Sequence, residues 1–322
     1  MKTIFSFRCG AVHLSSVKVI ARPYAIAGTG PATVTLLGTA RLSCNDRTRC
    51  TRLQGQLDYD PSVAEKVWKG EGSRIDWTQY EGLSYEAFRR RALDPSLSAS
   101  EKIGFPDALR EGAEDRILDS IATVVDLSRR SGLLVVDIGC GCGVLTRRMI
   151  ELCAAHGNEL VLVDSAEMLS QLPDSASVRK MPGRFPDPAL QMDEYLGRAD
   201  AVIIYSVLQI VFVEASVFEF IDAALELLAP GGALLIGDVP NISKRKRFFA
   251  SERGAAFHRA FMGTAENPDV DFNVIERGKI DDSVILGLLA RTRAQGFDAY
   301  LLPQPPDLRF ANRREDVLIR RP

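Results

Sequence analysis

The chain has 322 residues, 46% hydrophobic and 25% charged, a globular composition long enough for one large α/β domain with extensions or two small domains. A formal net charge of −2 argues against a nucleic-acid-coating surface, and no run of 18 apolar residues marks a membrane span. Six cysteines (Cys9, Cys44, Cys50, Cys140, Cys142, Cys153) form no C-x-x-C pair and, with three histidines, no zinc spacing, so a cytoplasmic protein without metal is expected.

Residues 1–57 read as a leader. No acid precedes Asp46, whereas Lys2, Arg8, Lys18, Arg22 and Arg41 are basic; no function is assigned there. Residues 58–107 read as an amphipathic helical lid, with Trp68, Trp77, Tyr80, Tyr85 and Phe88 set among charges. The segment 108–129 carries Ile117, Ile121, Val124, Val125 and Leu127 at helical spacing and is expected to pack on a sheet.

Strands are predicted at 133–138, 159–164, 177–181, 200–205 and 232–238, with helices at 143–156, 166–172, 188–197 and 215–229. This alternation predicts a doubly wound, mostly parallel α/β sheet. An insertion at 241–280, a helix at 282–295 and strands at 299–303 and 316–321 bring the sheet to seven strands, the last antiparallel.

The first strand runs into Asp137-Ile138-Gly139-Cys140-Gly141-Cys142-Gly143. Glycines at this spacing bring bare N–H groups against a ligand in front of a helix N-terminus. Asp164, 21 residues after Gly143, closes the second strand, where a carboxylate can accept from both hydroxyls of a ribose. Together they mark a nucleoside-cofactor site. A dinucleotide fingerprint begun at Gly139 needs glycine at 144, where this chain has Val144.

The loop resembles motif I of class I S-adenosylmethionine (SAM)-dependent methyltransferases, D-x-G-x-G-x-G, and Val163–Leu169 is similar to that family's second motif. Pro230-Gly231-Gly232 is similar to the turn before its fifth strand. The resemblance covers about residues 60–322 and is most specific between 133 and 240. It implies a Rossmann-like methyltransferase domain over 108–322 that holds SAM across the carboxyl ends of the first four strands. Asp137 is then expected to order the loop and the amino-acid end of the cofactor, and Gly139, Cys140 and Gly141 to line that end. Gly143 lets the helix start close by, Asp164 takes the ribose, and Ser165 and Met168 flank the adenine. Gly183-Arg184-Phe185 departs from the family's Gly-Asp, so Phe185 stacking is expected to replace the missing acid, and Tyr205 lies beside the sulfonium.

The amino-methyltransferase motif Asn/Asp-Pro-Pro-aromatic and the paired-glutamate loop of arginine methyltransferases are both missing, which favours a small-molecule acceptor such as a sugar, nucleotide-sugar or secondary metabolite, methylated at O or N. Methyl transfer needs alignment more than covalent help, so a catalytic base is optional. The candidates are Asp238, at the end of the fifth strand, and His258, in the insertion. Tyr80, with Trp77, is a candidate to close over the methionine end, on the substrate side. Arg245 and Arg247, within Lys244-Arg245-Lys246-Arg247, either form a solvated face or grip a phosphorylated acceptor, and Asn312–Asp316 is a charged turn beside the same region. An NAD(P)-dependent oxidoreductase and a non-catalytic SAM-binding partner subunit are the rival readings.

Overall fold

The computed structural model describes residues 72–322; the leader and Trp68 lie outside the described residues. The lid expected from the aromatic pattern is a string of short helices. Helix α1 (Tyr85–Leu93) starts at Ser84, whose side chain accepts from the Ala87 amide, and α2 (Ala99–Lys102) carries a Ser98–Glu101 capping box. The helix expected over 108–129 is broken into α3 (Asp107–Arg110) and α4 (Glu114–Val124), because Gly112 turns the chain at φ 77°. Ile117 and Ile121 are buried as their spacing predicts, while Val125 and Leu127 are buried beyond the helix end.

The α/β alternation then follows in chain order. Strand β1 (Leu134–Ile138) leads to α5 (Val144–Ala155), β2 (Glu159–Asp164), α6 (Ala166–Leu169), β3 (Val178–Pro182) and β4 (Ala199–Tyr205). The helix expected at 188–197 is two single 3-10 turns, Pro188–Leu190 and Met192–Tyr195, divided at Gln191 with φ 52°. The helix expected at 215–229 begins earlier and is split. Helix α7 (Leu208–Glu214) ends at Ala215, and α8 (Val217–Glu226) restarts under the side-chain cap of Ser216. Strand β5 (Leu228–Pro240) already includes Pro230-Gly231-Gly232, and its register with β4 shifts between Ala199 and Ala201.

The sheet has seven strands in the order β3-β2-β1-β4-β5-β7-β6. The first five are parallel; β7 (Arg314–Arg320) runs antiparallel between β5 and β6 (Asp298–Pro303). Helices cover both faces, so β1 is buried along its whole length. Its alternate residues feed two cores, Leu134, Val136 and Ile138 on one face and Val135, with Leu133 just before the strand, on the other.

The insertion folds as α9 (Ile242–Phe249) and α10 (Glu252–Met262). Asn241 anchors it. This buried side chain caps α9 and donates to Asp282, at the start of α11 (Asp282–Ala294), and to Glu315 on β7. Phe248, Phe249, Phe257 and His258 pack edge to face between α9 and α10.

Candidate functional site

The strand order reverses between β1 and β4, which are hydrogen-bonded neighbours through Val135↔Ala201 and Asp137↔Ile203. At such a switch point the connections diverge to opposite faces and leave a crevice outside the carboxyl ends of the strands. A cleft opens there. Its walls include Asp137, Gly139, Cys140, Gly141, Asp164, Met168, Phe185 and Tyr205, so eight of the ten residues proposed for the cofactor meet in one cleft. The other two act behind it: Gly143 begins α5, and buried Ser165 caps α6 by accepting from the Met168 amide.

The loop owes its shape to two left-handed glycines, Gly139 at φ 72° and Gly141 at φ 64°. A Cβ at 139 would fall 2.5 Å from Val207 Cγ2, and one at 141 would fall 2.9 Å from Ile103 Cγ2. Asp164 ties this loop to β2. Its Oδ2 accepts the Gly141 amide at 2.8 Å and its Oδ1 accepts the Ser165 amide at 2.6 Å. Each carboxylate oxygen keeps a second lone pair for a further donor. Burial pushes the Asp164 carboxyl up to about 6, against the lowering effect of those two amides.

Asp137 has no hydrogen-bond donor among the described residues. Burial, with the neighbouring Asp164 charge, pushes its carboxyl up to about 7. A buried carboxylate without donors is costly and favours a cationic or N–H-rich ligand group. Burial also raises the Cys140 and Cys142 thiols, which makes them inert small side chains of the loop, and Cys140, Cys142 and Cys153 are free of disulfides.

Tyr85, Phe88, Ile103 and Phe105 form the lid side of the cleft. Helix α1 is fastened over α6 by Arg89, which reaches Glu167 at 2.6 Å. Arg184, which replaces the family's acid after β3, pairs with Glu214 at 2.9 Å and lies 5.3 Å from the Tyr85 ring. The Tyr85 amide also donates to Glu214, so lid, β3 loop and α7 meet at one carboxylate. Burial, reinforced by the Asp164 charge, pushes the Tyr85 phenol up to about 12.

Beyond β4, Ser206 has φ 61°, and Asp238 stands on β5 with φ 59° where pairing with β7 shifts between Ile236 and Val239. The bulge re-aims Asp238. Its Oδ2 accepts from Ser206 Oγ at 2.5 Å and pairs with Arg314, while its backbone amide donates to Asp316. Tyr205 is buried beside these charges, and burial raises its phenol well above the ordinary value.

The remaining proposed residues lie elsewhere. Tyr80 donates to Glu101 and sits against Arg91; Trp77 donates to the Gly72 carbonyl; neither lines the cleft. Arg247 pairs with Asp282, Lys246 with Glu276 and Lys244 with Glu315, while Arg245 lies 5.2 Å from the Phe249 ring. The basic run therefore mainly braces the insertion. His258 packs edge-on to Phe249 outside the cleft walls, and burial lowers its ring below the usual histidine range. Arg110, Ile103 and Phe105 also line the cleft, although no motif marks them. Their local sequence carries no signal, because chain crossings assemble them.

Five parallel strands followed by a β6–β7 pair with β7 inserted antiparallel is the class I methyltransferase arrangement that the sequence resemblance implies. No protein-family model matches the chain, and no curated protein matches its sequence. Among solved structures it is similar to the plantazolicin methyltransferase BamL in complex with a triazolic desmethylPZN analog and SAH, at 13% identity and TM-score 0.45 over 81% of this chain and 98% of that one. It is similar to the CurJ carbon methyltransferase at 15% identity and TM-score 0.45, covering 84% and 73%. A putative methyltransferase in complex with the Haloferax volcanii Trm112 methyltransferase activator shares 15% identity at TM-score 0.42, covering 66% and 93%.

Proposed function

We propose that the chain is a SAM-dependent methyltransferase that methylates a small molecule at oxygen or nitrogen. The observation that carries this reading is the joint placement of Asp137, Asp164 and the two left-handed glycines in the walls of one cleft at the switch point of the sheet. The residues fit the cofactor. Asp137 offers an unpartnered carboxylate to an ammonium, Asp164 has lone pairs left for two ribose hydroxyls, and buried Met168 and Phe185 offer apolar faces to a purine.

When bound, SAM supplies a methyl group on a positively charged sulfur. The protein's task is then to align the acceptor and exclude water, and orientation alone supplies on the order of 7–11 kcal/mol in favourable cases. Tyr85, Phe88 and Ile103 close the apolar side. Asp238 is held by Ser206 and Arg314, so it does not face the acceptor as a free base. Ser206 does face it: its hydroxyl donates to Asp238, and its own lone pairs remain to accept an O–H or N–H of the acceptor.

Calorimetric titration with SAM, with S-adenosylhomocysteine and with NADH tests the reading. Binding of the first two, together with release of tritium-labelled methyl to a small-molecule pool, is expected. Binding of NADH without SAM overturns it.

A further inference from the structure

Arg110 is the last residue of α3 and is 5% exposed, yet its guanidinium makes no hydrogen bond and no ion pair among the described residues. Its Nε is buried without a partner. What it touches are ring faces: its central carbon lies 4.8 Å from the Phe105 ring and 6.0 Å from the Tyr205 ring. Rings stabilise the charge and leave the five N–H groups unmet. Its neighbouring guanidiniums are engaged. Arg314 has Asp238, Arg309 holds the Ala108 and Glu111 carbonyls, and Arg313 donates to Asn312. With Tyr205, Arg110 stands at the boundary of two spaces, the main cleft and a small adjoining pocket lined by Asp238, Gln304 and Phe310.

We propose that Arg110 is the seat of an oxyanion, a carboxylate or phosphate, carried by the methyl acceptor. The proposal rests on the methyltransferase reading for the word acceptor, and on Arg110 alone for the oxyanion. A buried guanidinium without acceptors gains most from a planar or tetrahedral anion that takes two of its N–H groups at once. Its position assigns the anion to the acceptor: Arg110 faces Tyr205 at the end of β4 and shares with Asp238 of β5 an adjoining pocket whose lining includes neither Asp137 nor the glycine loop. Gln304 Oε1, also buried without a donor, lines the adjoining pocket, so that space is polar on two sides.

The test uses acetate and inorganic phosphate as probes, titrated at constant ionic strength against chloride, with thermal unfolding as the readout. The wild-type chain is expected to show a saturable rise in Tm with one or both ions, with and without S-adenosylhomocysteine. Arg110→Gln should lose that rise, and Arg110→Lys, which keeps the charge and the fold but loses the fork, should retain a weakened one. S-adenosylhomocysteine affinity should be unchanged within about twofold in Arg110→Lys. No rise in wild type, or an equal rise in both variants, overturns the proposal. So does a tenfold loss of S-adenosylhomocysteine affinity alongside unchanged 5′-methylthioadenosine affinity, because the anion would then be the donor's own carboxylate. If wild type binds no S-adenosylhomocysteine, the methyltransferase reading fails, and the ion titration without it still decides the oxyanion seat.

Discussion

Asp238 on β5 and Arg314 on the neighbouring antiparallel strand β7 form an ion pair whose side chains are 5% and 17% exposed. Removing one member of such a pair strands a charge away from water, which costs roughly 3–5 kcal/mol, whereas replacing both with apolar groups is far milder. Arg314→Met is therefore expected to lower Tm by on the order of 10 °C, at roughly 2–4 °C per kcal/mol for a domain of this size. Asp238→Asn combined with Arg314→Met, which removes both charges and keeps a residue that tolerates the φ of 59°, should recover most of the loss. Thermal unfolding of the two single variants and the double variant checks this, and additive losses would contradict it.

Asp164 bridges β2 to the glycine loop through the Gly141 amide and is proposed to hold the ribose. Asp164→Ala should weaken S-adenosylhomocysteine binding by roughly 1.5–3 kcal/mol for each charge-assisted hydrogen bond lost. Asp164→Asn should fall between it and wild type, because an amide oxygen still accepts. Isothermal titration gives the affinities directly.

The raised carboxyls make a pH prediction with a definite sign. Asp137 (about 7) and Asp164 (about 6) hold protons more tightly in the folded chain than an ordinary carboxylate does. Their contribution to stability is therefore fully present below the unfolded value near 4 and is lost as pH rises through 6 and 7. Cofactor binding, which needs the charged forms, should run the other way. It should strengthen about tenfold from pH 6 to pH 8 and release protons, visible as a dependence of the binding heat on buffer ionisation. In Asp137→Asn the pH dependence should flatten, and Tm should exceed that of wild type at pH 8 but not at pH 4.

Gly139→Ala should suffer twice. Its φ of 72° costs an L-residue about 1–2 kcal/mol, and its Cβ would meet Val207 Cγ2 at 2.5 Å. Adding Val207→Ala should relieve the second cost and leave the first. A double variant restored fully to wild-type stability would show that the backbone strain is absent.

The seven-strand sheet and the glycine loop with its facing carboxylate were legible because their signals are local. Apolar runs of strand length alternate with helical periods, and the glycines, Asp137 and Asp164 sit at fixed distances along the chain. Helix breaks were harder to read. Gly112, Gln191 and Ala215 interrupt patterns whose apolar spacing continues past them, and burial beyond a helix end, as for Val125 and Leu127, keeps the periodicity without the helix.

By itself, then, the sequence determined the sheet, the loop and the carboxylate that faces it, since backbone geometry and side-chain period are properties of neighbouring residues. The tertiary structure alone decided which charges are neutralised. Lys244, Lys246 and Arg247 read as a free basic run but find carboxylates at 315, 276 and 282, whereas Arg110, unremarkable in sequence, is left buried without one. An ion pair depends on distance through space, and a chain that brings Arg314 to Asp238 across 76 residues does not write that distance in its spacing.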